Sequence, residues 1–71
     1  MLRMGVRETL AANLRRHRKK QGLSQEELAH RAAIDRTYIS SIERGLYGVT
    51  IDVLDRLARA LDLDAWELLK G

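Results

Sequence analysis

A residue suited to capping a helix stands between two apolar positions four times along the chain. Leu23 and Leu28 flank Ser24, Ile34 and Ile39 flank Asp35, Val49 and Leu54 flank Thr50, and Leu63 and Leu68 flank Asp64. These are the N′ and N4 positions of a hydrophobic staple, which fixes how a chain enters a helix. Glu27 after Ser24 and Glu67 after Asp64 stand at N3, completing a capping box or its aspartate analogue. Proline is absent, and the glycines at 5, 22, 45, 48 and 71 fall where stops and turns are needed. The pattern predicts five helices, over 6–20, 25–32, 36–44, 51–61 and 65–70, and no strand. Val6, Leu10, Leu14 and His17 face inward on the first at steps of three and four. The expected core is Leu14, Leu23, Leu28, Ala29, Ile34, Ile39, Ile42, Leu54, Leu57, Leu61 and Leu63.

Helix 3 is chemically lopsided. Taking Arg36 as origin and about 100° per residue, Ser40, Arg44, Thr37 and Ser41 fall at about 40°, about 80°, about 100° and about 140°, while Ile42 and Ile39 fall at about 240° and about 300°. One side is apolar; the other is short hydroxyls bracketed by two arginines. A face selected only for solubility would favour Glu, Lys, Gln and Ala, because Ser and Thr are mediocre helix formers. An ordinary solvated helix remains the bland reading, and DNA supplies the sharper one. A major groove admits an α-helix, an arginine bonds guanine O6 and N7 together, and Thr or Ser meets a base edge or a thymine methyl. The positive helix N-termini attract phosphate, which places Ser24 and Gln25 at the backbone.

Charge agrees with that direction without proving it. The net charge is +3, and the first twenty residues hold seven Lys or Arg against one Glu. Within them "RRHRKK" at 15–20 could neutralise phosphates, lie on an acidic membrane surface, or be a solvated helix face. Cysteine is absent, so no disulfide staples the fold, and the two histidines stand on different predicted helices with no thiolate to complete a zinc site. His17 reads as a packed residue and His30 as a surface partner of Glu26 and Glu27. No uncharged run approaches the roughly 18 residues of a membrane span. No phosphate loop, nucleophile elbow or paired-carboxylate pocket is legible. A soluble, cytoplasmic, non-enzymatic chain without cofactor or metal is expected.

The segments "GLSQEELA" at 22–29, Ile34, Ile39, Ile42, "ERG" at 43–45 and "LARALDL" at 57–63 resemble the phage-repressor (Cro/repressor-type, XRE) helix-turn-helix family over residues 13–69. Within it, "DRTYISSIERG" is most similar to the controller proteins of restriction-modification systems. The resemblance implies one domain over 1–71 with its core at about 6–70, a compact five-helix lambda-repressor-like DNA-binding fold with the helix-turn-helix at 24–45. It places Arg36, Thr37, Ser40 and Ser41 at bases, Gln25 and Arg44 at phosphates, and Arg18 with Glu43 in an ion pair tying helix 1 to helix 3. Tyr38 is left between a packed ring whose hydroxyl reaches a phosphate and a purely structural tyrosine.

Four departures from the family pattern stand out, one of them His17, which sits where an aliphatic residue is usual. Ala33 replaces the usual turn glycine, costing about 1 kcal/mol if the backbone there is left-handed, so the turn is expected to differ slightly. Val49 replaces a common proline, and "LYGV" lacks a basic residue, leaving Tyr47 as that loop's candidate backbone contact. The expected function is a dimeric, sequence-specific regulator on a near-palindromic operator with no small-molecule effector. A phage-type repressor, an antitoxin-like regulator and a protein-protein adaptor are the alternatives. The dimer interface is expected at Leu61, Leu63, Trp66 and Leu69, although Trp66 serves equally well as the close of a monomer core.

Overall fold

A computed structural model describes residues 5–71; residues 1–4, with Arg3 of the basic group, lie outside the described residues. The order is α1 (Val6–Lys20), α2 (Gln25–Ala32), α3 (Arg36–Glu43), α4 (Ile51–Ala60) and a 3₁₀ turn, Ala65–Leu68, with no strand among the described residues.

Each start is held as the staple pattern requires. The Ser24 hydroxyl accepts the Glu27 N–H at 3.0 Å while the Glu27 carboxylate accepts the Ser24 N–H at 2.9 Å. The bonds that Ser24 offers the carboxylate, its backbone N–H first, lower the Glu27 pKa from its usual value. Asp35 accepts the Thr37 N–H at 2.7 Å and Thr50 the Val53 N–H at 3.1 Å. At Asp64 only half of the box forms: the Glu67 carboxylate accepts the Asp64 N–H at 2.8 Å.

The ends share one device. Gly22, Ala33, Gly45 and Asp62 are all left-handed, with φ of 70°, 55°, 72° and 57°. The next residue then closes the helix: Leu23 N–H to Arg18 carbonyl, Ile34 to Ala29, Leu46 to Ser41, and Leu63 to Ala58. Ala33 thus keeps the turn that glycine would make, and the expected alteration does not occur. Asp62 leaves no comparable mark in the sequence pattern.

The predicted fifth helix over 65–70 is instead a single 3₁₀ turn, so the α-helices number four. Asn13 Nδ2 donates to the Leu68 and Lys70 carbonyls at 2.9 and 2.8 Å, which ties the end of this segment to α1. A segment this short gains little from α propagation. Helices 3 and 4 each stop one residue before the predicted end, at Glu43 and Ala60.

Leu14, Leu28, Ile39, Ile42, Leu57, Leu61 and Leu68 are the large side chains fully buried at the centre, joined by Leu10, Leu23, Ala29, Ala32 and Ala58. Ile34, Leu54 and Leu63, expected in the core, are half-buried at its margin. Val6 is 70 % exposed rather than inward, because it opens α1 at the rim of an apolar groove. Helix α3 packs on α1 and α2, and α4 packs on α2 and the terminal turn, so the outer side of α3 is left to solvent.

Candidate nucleic-acid interface

The apolar stripe of α3 is fully used: Ile39 and Ile42 are 0 % exposed. Opposite it, Arg36, Thr37 and Arg44 are exposed and Ser40 is half-buried. Ser41 sits at the inner edge, buried, with its Oγ donating to the Thr37 carbonyl at 3.0 Å. The outward face therefore comprises Arg36, Thr37, Ser40 and Arg44. Arg44 also lies along its own helix, Nε to the Ser40 carbonyl at 3.4 Å.

Behind this face is a buried polar clamp. Arg18 Nε and Nη2 donate to Glu43 Oε2 and Oε1 at 2.7 and 2.9 Å, and Nη1 donates to the Leu23 carbonyl at 2.9 Å. Gln25 Nε2 donates to Glu43 Oε1 at 3.1 Å. The bonds to Glu43 hold the Arg18 guanidinium above its already high range, against the opposing effect of burial. One carboxylate thereby joins the end of α3 to α1 and to the start of α2. Bidentate geometry makes such a pair strong and directional.

At the start of α2 the side chain of Gln25 is turned inward and the Ser24 oxygen is occupied only as an acceptor, so the Ser24 O–H and the Gln25 and Glu26 N–H groups are the donors left at this end. Ser24, Gln25, His30, Arg31 and Arg36 line one open cleft with Glu26 and Glu27, which puts the starts of α2 and α3 on the same surface. Arg31 went unnoticed in the sequence; its only signal there is the Glu27 spacing.

The ring of Tyr38 packs against the core and its hydroxyl donates to the Gly48 carbonyl at 3.1 Å, tethering the α3–α4 loop. Tyr47, 60 % exposed, shares a shallow concavity with Asp35, Thr37, Tyr38 and Ser41. Both tyrosines thus flank the outward face of α3.

The four residues expected at a dimer interface are not together on the surface. Leu61 is 1 % exposed and belongs to the protomer core, Leu63 is half-buried, and Trp66 and Leu69 are 59 % and 41 % exposed. Lys70 Nζ lies 5.8 Å from the Trp66 ring centre. Leu69 instead joins Val6, Leu10, Val49, Ile51 and Leu54 along an apolar groove, where Ile51 is 84 % exposed. Among the described residues no group of three or more His, Asp or Glu could hold a metal ion, and no helix is long and apolar enough to cross a membrane. His17 is half-buried, and burial, reinforced by Arg16, lowers its proton affinity.

A short cap-bounded helix, a left-handed turn and an outward helix bearing arginines and hydroxyls define a helix-turn-helix protein. The helix-turn-helix family model matches residues 14–65, and the chain belongs to that family, of the XRE type. It is similar to a hypothetical transcription factor of Neisseria meningitidis, 41 % identical over 90 % of this chain, of which it spans 60 %. With the control protein C.SmaI of Serratia marcescens it is 44 % identical over 93 % of this chain and 79 % of that one. Among solved structures, the controller protein C.Esp1396I, a tetramer in complex with its natural 35 base-pair operator, superposes with a TM-score of 0.84. There the identity is 30 %, covering 94 % of this chain and 92 % of that one.

Proposed function

We propose that this chain is a sequence-specific, double-stranded DNA-binding transcriptional regulator of the controller type, acting on a near-palindromic operator as a homodimer. The observation that carries the reading is the outward face of α3, with Arg36, Thr37, Ser40 and Arg44 clear of the core and the start of α2 on the same side. Likeness to C.SmaI and to the operator-bound C.Esp1396I supports the controller assignment.

Arg36 is suited to a guanine through its fork, and Thr37 and Ser40 to base edges or a thymine methyl. Ser41 acts from beneath, fixing the Thr37 carbonyl. The free N–H groups of Gln25 and Glu26, the Ser24 hydroxyl, Arg44 and Tyr47 take phosphates, and Tyr38 contributes its ring edge beside them. Half-sites lie about one helical turn, roughly 34 Å, apart. Self-association uses the apolar groove, with Val6, Ile51, Leu54 and Leu69 in place of Leu61, while Leu63 and Trp66 lie outside its lining.

Selection from a random duplex library near physiological salt tests the reading. A two-fold motif with that spacing is the expected result. Retention without a motif, lost as salt rises, would leave only phosphate contacts and remove it.

A further inference from the structure

Ala33 closes the α2–α3 turn at φ 55° and ψ 48°, a region that a residue bearing a Cβ occupies at a cost. Its N–H and that of Ile34 reach back to the His30 and Ala29 carbonyls at 3.2 and 2.9 Å. The carbonyls of Ala32 and Ala33 are then left as the negative end of α2. Both are met from across the fold. Arg56, on α4, donates Nε to the Ala32 carbonyl at 3.2 Å and Nη2 to the Ala33 carbonyl at 2.7 Å. Arg31 and Arg59 line the same concavity, but Arg59 is engaged by Asp55 at 2.9 Å.

We infer that Arg56 is a positioning residue for DNA reading: its guanidinium locks the α2–α3 turn around a left-handed alanine and so fixes where Arg36 and Thr37 stand relative to α4. Two carbonyls on consecutive residues need two donors at fixed separation, which a guanidinium offers and an ammonium does not. The turn needs a holder because alanine at this φ is not at rest, and α3 begins only at Arg36. Helix α4 also opens with Ile51 and extends through Leu54, both on the apolar groove. One side chain therefore relates the reading helix to the element through which the two protomers are proposed to meet. This role rests on the proposed function, and it involves no contact between Arg56 and DNA.

The test compares wild type, Arg56→Ala and Arg56→Lys, each alone and combined with Ala33→Gly. Thermal midpoints are measured, and each folded protein is titrated with the duplex selected by wild type and with an unrelated duplex at several salt concentrations. Arg56→Ala is expected to bind the selected duplex about tenfold more weakly, the loss of a charge-assisted bond pair. Binding to the unrelated duplex and the salt slope stay unchanged, because every phosphate contact remains. Arg56→Lys recovers less than half of the loss, and Ala33→Gly shrinks the effect of Arg56→Ala on both midpoint and affinity.

Four results would overturn the inference: a salt slope lower by about one, which marks a phosphate contact; equal losses on both duplexes; full rescue by lysine; or the same Arg56→Ala effect with and without Ala33→Gly. A wild type with no preferred duplex would remove the proposed function and this role together. The thermal comparison would still decide whether the guanidinium holds the turn.

Discussion

The two ends of this small fold are finished in opposite ways. Where α1, α2 and α3 meet, Arg18, Glu43, Gln25 and the Leu23 carbonyl satisfy one another, and no buried side-chain polar atom among the described residues lacks a partner. Where α1, α4 and the terminal turn meet, Val6, Ile51 and Leu69 stand open around an apolar groove. The first end is closed by its own side chains and sets an angle. The second leaves apolar side chains exposed, and the proposed self-association would cover them. A chain of this size has only about 3–5 kcal/mol of net core stability, so under the proposed function the work is divided: the polar clamp fixes geometry and the open groove joins protomers.

The largest effect should come from opening the closed end. Arg18→Ala strands Glu43 in a buried site, at a cost of about 3–5 kcal/mol, which is most of what the core supplies. Loss of the cooperative transition in urea, followed by circular dichroism, is the expected outcome. Arg18→Met with Glu43→Leu should instead fold nearly as well as wild type, since an apolar pair of similar volume often replaces a buried ion pair without loss. If the double variant folds and still reads the operator, the clamp serves no geometric purpose and the contrast between the two ends fails.

Filling the open end with charge comes next. Ile51→Asp changes an exposed side chain, so the protomer should keep its stability to within about 0.5 kcal/mol. Sedimentation should show a shift to monomer, and operator affinity should fall about a hundredfold or more as the second half-site ceases to be an intramolecular event. A variant that still sediments as a dimer would relocate the interface. Trp66→Ser then becomes the informative companion, because Trp66 is exposed outside the groove lining.

How much of this contrast was visible in the chain depends on its range. Staples and caps act within four residues, and the starts of α2, α3, α4 and the terminal 3₁₀ turn were legible at Ser24, Asp35, Thr50 and Asp64. Which side of α3 faces outward followed from a helical wheel except at Ser41, which is buried and whose wheel position adjoins the buried arc. Apart from the Arg18–Glu43 pair that the family resemblance implied, long-range bonds left no trace. Asn13 holds carbonyls 55 and 57 residues away, Gln21 one 40 residues away, and Arg56 two on the far side of α2. Each is a polar side chain meeting backbone, with neither periodicity nor a complementary residue type to betray it. The missing fifth helix has a different origin, because a segment this short offers too few α bonds to offset nucleation. Leu61 was misplaced to the surface because an apolar stripe shows which side of a helix is buried but not which members a partner covers.

The reading face itself should respond on a smaller scale than either end. Arg36→Ala is expected to weaken operator binding by about 1–3 kcal/mol and to relax preference at a single base pair, with stability unchanged. Binding-site selection repeated with the variant checks this. A uniform loss at every base pair would make Arg36 a phosphate contact, and reading would then rest on Thr37 and Ser40.

The smallest effect concerns protons and again divides the two ends. Arg18 in the clamp stays cationic throughout, its proton held by Glu43. His17 is the group with a shifted proton affinity near neutrality, and it faces Arg16, Lys20 and Glu67, the last on the terminal turn. Burial comes first among the causes that lower it, then Arg16, with Glu67 opposing. A histidine whose folded pKa lies below its unfolded value of 6.5 binds fewer protons folded than unfolded. Its contribution is therefore complete above pH 6.5 and is lost as the pH falls through the folded value. Thermal midpoints should drop modestly between pH 7 and pH 5, and His17→Leu should flatten that part of the profile while leaving the midpoint at pH 7 close to wild type. An unchanged slope in His17→Leu would assign the acid sensitivity to carboxylates. It would then leave the packing of α1 on the terminal turn indifferent to pH near neutrality, as the clamp is.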